Sequence, residues 1–172
     1  LSDSEIRNTV HQKLHTMLPD HGLSPTGEKA YTVSRISPYK PQQRLAPTLH
    51  PTRHTLLIGD AAHLTNPYAG LGLASGIADA ESLSQILIHI LLGRAADAEQ
   101  LMQSWSAERR RVFGEVVDGP SRGAWERVRR DVSSEEKVEE FVKGDKLVGA
   151  LRGGMPVKPG ELGTRGKGLV GW

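Results

Sequence analysis

The chain has 172 residues, enough for one ordinary domain with a core of its own. Its 22 Lys and Arg against 20 Asp and Glu leave a net charge of +2, too close to neutral to demand nucleic acid or an anionic membrane as partner. Cysteine is absent, which excludes disulfides, thiolate metal sites and cysteine nucleophiles.

Leu1 opens the chain with no basic-then-apolar leader behind it, so no secretory signal is visible and a cytoplasmic location is expected. The same opening suggests a processed chain or a piece of a longer one. Residues 2–18 read as a helix: Ser2-Asp3-Ser4-Glu5 has the form of a capping box, and Ile6, Val10, Leu14 and Met17 recur at helical spacing. A turn-rich connection runs from Pro19 to Gly27. Tyr31 to Ser37 is β-branched and partly alternating, which predicts a strand. Pro38 to Pro51 holds four prolines and reads as an irregular loop or sheet edge.

Thr55 to Ile58 is a short apolar run ended by Gly59-Asp60, the pattern of a strand buried on both faces. A Pro- and Gly-rich loop leads to Gly70, and a helix starts near Gly72. Ala74, Ile77, Ala80, Leu83, Leu87 and Leu91 mark its apolar face, and Gly93 ends it. The longest apolar run, Ile86 to Leu92, is broken by His89 and falls far short of the roughly 20 residues that a bilayer span needs. A further helical pattern covers 97–117, with Leu101, Met102, Trp105, Val112, Phe113 and Val116 as its apolar face. Shorter amphipathic helices are predicted over 121–132, with Trp125 and Val128, and over 134–149, with Val138, Phe141, Val142 and Val148. From Gly153 to Trp172 the chain carries seven glycines and two prolines, which suggests an extended or disordered tail.

The chemistry is expected between Leu56 and Leu87. There a buried strand ends on Gly59, which permits a tight turn or a close approach to the backbone. Asp60 follows at the carboxyl end of that strand, where ligands of layered α/β folds bind and where a carboxylate can accept from ribose or ribityl hydroxyls. The loop through Pro67 to Gly70-Leu71-Gly72 then opens a helix, whose bare N–H groups and positive dipole end stabilise an anion or a ring that becomes one.

Gly59-Asp60-Ala61-Ala62-His63, then Pro67, then Gly70-Leu71-Gly72, then Asp79-Ala80 resembles the GD motif of the FAD-dependent aromatic hydroxylases, the para-hydroxybenzoate and salicylate hydroxylase type. The resemblance implies that Asp60 holds the ribityl chain of FAD, that Pro67 lies beside the isoalloxazine ring, and that the amides from Gly70 through Leu71 and Gly72 to Leu73 face its pyrimidine edge. Gly59 belongs to the same cofactor-binding set, and no side chain is expected to act as acid or base. The family has Gln between the two glycines and Asn two residues after the second; here Leu71 and Ala74 stand in those places, which retains backbone contacts and removes side-chain ones.

The family's GxGxxG turn, which binds the ADP half of FAD, has no counterpart before residue 55. The glycines at 70 and 72 lie too far beyond their strand to supply it. The resemblance therefore implies an α/β (α+β) fold, helix-rich with few strands, corresponding to the C-terminal part of a Rossmann-like FAD-binding monooxygenase. It divides the chain into the end of a substrate domain (1–54), the GD-motif strand, loop and helix (55–95), C-terminal helices (96–152) and a flexible tail (153–172). It implies hydroxylation of an aromatic or similar small substrate with NAD(P)H and O2. The chain alone is expected to be inactive, and either a missing N-terminal FAD-binding half or self-association is expected to cover its exposed strand edges. The rival reading is a non-catalytic remnant or one half of a split enzyme, serving as a binding module.

Other readings of single residues are plainer. His63 with His50 or His54 lacks a metal-ligand spacing and is expected to pack in the loop. Ser75 does not sit in GxSxG. Asp79 is expected to be a structural helix residue, Arg109-Arg110-Arg111 and Arg127 to Arg130 a solvated, ion-paired face, and Trp105 and Trp125 core positions.

Overall fold

A computed structural model describes residues 2–154 and 160–172. The chain divides into two compact units, Leu1–Lys40 and Pro41–Trp172.

The first unit is built on α1 (Asp3–Met17). Ser2 and Glu5 form the expected capping box: the Ser2 hydroxyl accepts the Glu5 N–H at 3.3 Å, and the Glu5 carboxylate accepts the Ser2 N–H at 2.6 Å. The helix buries none of its residues fully, and Met17 is exposed. His11 and Tyr31 meet through Nδ1 and the phenol oxygen at 2.9 Å. Tyr31 to Ser37 does not form the predicted strand. Residue type favours extended backbone there, but a strand exists only where a neighbour completes its ladder.

The second unit is helical with a minimal sheet. β1 (Arg44–Leu45) pairs antiparallel with β2 (His63–Leu64), Leu45 opposite His63. The predicted strand at Thr55 to Ile58 is extended, with Ile58 at φ −137° and ψ 161°. Its middle is tied by the Leu57 N–H to the Leu49 carbonyl at 2.8 Å, but it joins no sheet among the described residues. The helices are α2 (Leu71–Leu91), α3 (Ala98–Val112), a π-helical segment (Phe113–Asp118), α4 (Gly119–Val128), α5 (Glu135–Gly144) and α6 (Lys146–Arg152). The pattern over 134–149 is split at Asp145, whose carboxylate accepts the N–H groups of Leu147 and Val148 and caps a new helix instead of continuing the old one.

The core joins Leu49, Ala62, Ile86, Leu101 and Trp105, with Leu83, Leu169 and Trp172 packed against it. Trp105 is sealed from solvent and its indole N–H donates to Ser82 Oγ at 3.0 Å. Trp125 is only half-buried, and Val128 is exposed.

Two expectations reverse here. On α2 the buried face is Ser75, Asp79, Ser82 and Ile86, while Ile77 and Leu91 of the predicted apolar strip are 60% and 83% exposed, and Leu73 is 78% exposed. Polar groups can be buried on this side because each finds a partner in α3 or the preceding loop. Likewise, residues 160–172 are not a loose tail: Val170 N–H donates to Ser104 Oγ at 3.1 Å, the Gly171 carbonyl accepts the Asp97 N–H at 3.3 Å, and Trp172 stacks on His89 at 3.9 Å. The 155–159 part of that tail lies outside the described residues. No described helix is long and apolar enough to cross a membrane.

Candidate FAD-binding site

The site grows from one turn. The extended segment ends at Gly59, whose φ of +56° is left-handed and costs an L side chain about 1–2 kcal/mol. Gly59 to Ala61 make one tight helical turn, closed by the Ala62 N–H on the Gly59 carbonyl at 2.9 Å. Asp60 stands exposed on that turn, and its carboxylate has no hydrogen bond among the described residues. The chain then passes through β2 to Asn66, where Pro67, Tyr68 and Ala69 form a second tight turn.

Asn66 is buried and fully employed. Its side chain accepts the Tyr68 N–H at 3.2 Å and donates to the Ser121 carbonyl at 2.9 Å and to Gln43 Oε1 at 3.2 Å. Gln43 in turn accepts from the Ser121 hydroxyl at 3.1 Å and donates to Asp118 at 3.0 Å. The Pro67 turn is thereby pinned to the π-helical segment and α4, and Tyr68 leans on Trp125 with ring centroids 5.3 Å apart.

Gly70, at φ +66°, starts α2 with no side-chain cap, so the first amides of the helix are free to meet a ligand. Two glycines let the helix press on the turn. A Cβ on Gly76 would lie 3.4 Å from Gly59 Cα, and one on Gly72 would lie 3.2 Å from Thr65 Oγ1. The result is an open groove of about 480 Å³ lined by Ile58, Gly59, Asp60, Gly72, Leu73 and Ile77, among others. Of the residues singled out from sequence, Gly59, Asp60, Gly72 and Leu73 therefore converge on one groove. Pro67, Gly70 and Leu71 are not among the residues that line it.

Beneath the groove is a buried polar cluster centred on Asp79. One carboxylate oxygen accepts the Gly59 N–H at 3.0 Å and His63 Nε2–H at 2.7 Å; the other accepts Arg109 Nε–H at 2.7 Å. Burial pushes the Asp79 carboxyl up, but the donors from His63, Gly59 and Arg109 outweigh it and hold the group below its ordinary value. His63 also stacks on Phe113 at 4.8 Å. Ser75 Oγ is 3.5 Å from the same His63 nitrogen that faces Asp79. A nucleophile relay needs one ring nitrogen for the hydroxyl and the other for the carboxylate, so this trio is not one.

Arg109 corrects the expected solvated basic face. It is 1% exposed, and its guanidinium also reaches the Leu162 carbonyl, Thr164 Oγ1 at 3.1 Å and the Ser75 carbonyl at 3.4 Å. Arg111 does behave as expected, exposed and paired with Glu108 and Glu115. Charge runs report composition and not azimuth: the α3 residues Leu101, Trp105 and Val112 put position 109 on the buried side. Gln43, Asn66 and Ser121 carry no motif and were not legible in advance. His50 is also engaged, with its ring nitrogens 3.1 Å from the Thr55 carbonyl and from Glu99. Among the described residues, no group of three or more His, Asp or Glu is placed to hold a metal.

A glycine-lined groove, an uncapped helix start and an unengaged carboxylate fit a flavin with a polyol chain. The family description "FAD binding domain" matches residues 3–119.

The chain belongs to the FAD-dependent aromatic monooxygenase family.

Within that family, it is 38% identical over 117 residues to para-nitrophenol 4-monooxygenase of Pseudomonas sp. strain WBC-3, covering 68% of this chain and 27% of that one. It is 36% identical over 112 residues to 6-hydroxy-3-succinoylpyridine 3-monooxygenase HspB of Pseudomonas putida S16, covering 65% and 26%. The crystal structure of p-nitrophenol 4-monooxygenase PnpA from Pseudomonas putida DLL-E4 superposes with a TM-score of 0.65 at 28% identity, over 88% of this chain and 37% of that one. The helix-rich architecture is thus a partial FAD-binding monooxygenase fold. The chain spans about a quarter of the length of these two curated relatives.

Proposed function

We propose that this chain supplies the ribityl and ring side of the FAD site of a monooxygenase acting on an aromatic or similar small substrate, with NAD(P)H as reductant and O2 as oxidant. The observation that carries the reading is the convergence of Gly59, Asp60, Gly72 and Leu73 on one open groove at the uncapped start of α2. When bound, FAD would supply the redox chemistry.

The residues have distinct tasks in this reading. Asp60 would accept from the ribityl hydroxyls with a carboxylate that has no hydrogen bond among the described residues. The positive φ of Gly59 turns the backbone there without a side chain in the way. The Gly70 N–H is taken by the Pro67 carbonyl at 3.1 Å, so it is the amides of Leu71 to Leu73 and the positive end of α2 that favour negative charge developing on the ring's pyrimidine edge. Pro67 lies on the tight turn capped by Asn66, and in this reading it would stand beside the ring. No side chain is assigned as an acid or base.

A second reading concerns what covers the groove. Ile58, Leu73 and Ile77 expose apolar surface next to it, which favours a further FAD-binding polypeptide segment or a second copy packed there. Titration of the purified chain with FAD, followed by flavin fluorescence and by mass in solution, tests both. Quenching with a defined stoichiometry supports the flavin reading. A colourless chain that takes up no added FAD turns the search toward a non-catalytic binding role.

A further inference from the structure

We propose that Asp79 is a positioning residue for the flavin: from beneath the groove, its buried carboxylate sets the direction of the Gly59–Asp60 turn, with Arg109 as its anchor. The inference rests on the flavin reading above.

One oxygen of Asp79 holds both ends of the loop from 59 to 63. It accepts the Gly59 backbone N–H at 3.0 Å and the His63 ring N–H at 2.7 Å. Asp60 lies between those two points, so its direction is dictated by a carboxylate it does not touch. The second oxygen is taken by Arg109 at 2.7 Å. Arg109 is fixed in turn by the Leu162 and Ser75 carbonyls and Thr164, so the hub is tied to α3 and to the C-terminal segment, neither of which lines the groove.

The side chain of Asp79 is fully buried. Burying a charge is expensive, and packing alone does not require one. Gly76 already brings α2 into contact with Gly59. What the carboxylate adds is aim: it orients the N–H of a left-handed residue and thereby the side chain that follows. Sites held by such supporting bonds lose affinity when the support is removed, even though the ligand never meets it.

The test uses the full chain with FAD and, separately, riboflavin as probes, on wild type, Asp79→Asn and Arg109→Lys. Asparagine is isosteric, but its amide must face donors on one side or the other, so it cannot satisfy Arg109 and the Gly59–His63 pair together. We expect Asp79→Asn to retain its far-ultraviolet circular dichroism, to speed amide exchange at Gly59, and to weaken FAD and riboflavin alike by about tenfold or more. Arg109→Lys keeps the charge and loses the fork, so it should shift all three readings the same way by less. It carries the test if Asp79→Asn does not fold. A purely structural Asp79 would lower the melting temperature but leave flavin affinity well below the melt unchanged, and that result overturns the proposal. Wild-type affinity with a loosened Gly59 amide overturns it as well. If wild type binds neither FAD nor riboflavin, the flavin reading itself fails and the proposal falls with it. Failure confined to the variants leaves the flavin reading standing.

Discussion

Arg109 Nε lies 2.7 Å from Asp79 Oδ1, and both side chains are sealed from water, 1% and 0% exposed. The pair joins α3 to α2 at the depth where an apolar contact would ordinarily sit. Its carboxylate is shared with His63 and the Gly59 backbone, so the ion pair and the groove floor are one network. Removing one partner strands the other in a medium that solvates it poorly. We predict that Arg109→Ala costs about 3–5 kcal/mol, read as a lower urea midpoint at unchanged slope. Replacing both Asp79 and Arg109 with apolar residues should cost less than Arg109→Ala alone.

The same carboxylate should be visible in the acid limb of stability. Asp79 is held below its ordinary value of 3.8 in the folded chain. A depressed acid contributes stability that is complete above its unfolded value and lost as pH falls through its folded value. The window for Asp79 therefore lies below pH 3.8, on the acid side of the ordinary range. Asp118, paired with Arg122, is shifted the same way and adds to the limb. Denaturant melts between neutral pH and pH 2 should fall less steeply at the acid end for Asp79→Asn than for wild type; parallel curves would show that the pair is not linked to stability as the geometry requires.

Trp105 separates packing from hydrogen bonding. Its ring fills the core and its N–H meets Ser82. Trp105→Ala should cost about 3–5 kcal/mol, while Ser82→Ala, which leaves the indole N–H unsatisfied, should cost about 1–3 kcal/mol. Equal losses in thermal or chemical melts would mean that the hydrogen bond, not the volume, dominates at this position.

The glycine-rich end makes a close approach that only glycine permits. A Cβ on Gly171 would sit 2.6 Å from the Asp97 carbonyl oxygen and 2.7 Å from the Leu101 nitrogen, at a φ of +90°. Gly171→Ala should therefore lift the last residues off α3 and free Trp172 from His89. Limited proteolysis should then cut the C-terminal segment many times faster than in wild type, with a lower melting temperature.

The exposed strip of α2 predicts association. Leu73 and Ile77 lie beside the groove, and Leu91 and Leu92 continue the apolar surface at the far end of the helix. Wild type should self-associate at micromolar concentration in analytical ultracentrifugation, and Leu73→Lys with Ile77→Lys should shift it toward monomer. A wild type that stays monomeric and melts sharply at high concentration would count against an apolar face in need of a partner.

Several features were decided locally and could be read from the sequence. Ser2 and Glu5 cap α1 because both halves of the box lie within one turn. Gly59 and Gly70 adopt positive φ where the motif turns, and α2 begins and ends within a residue or two of its pattern. The spacing from Gly59 to Ala80 carried the family resemblance because close backbone approach, a carboxylate and a helix start must follow one another along the chain. What only the tertiary structure decided depends on partners distant in sequence. Thr55 to Ile58 is extended but is no strand without a ladder to join. α2 turns its Ser75–Asp79–Ser82 face inward because Arg109, His63 and Trp105 wait there with matching donors. Arg109 is the anchor of the site and not a solvated cation because the helical phase of α3, not the run of three arginines, sets which of them faces Asp79. Periodicity gives the faces of a helix; which face is buried follows from what stands opposite, and a buried charge is tolerated only where its counterpart is already in place.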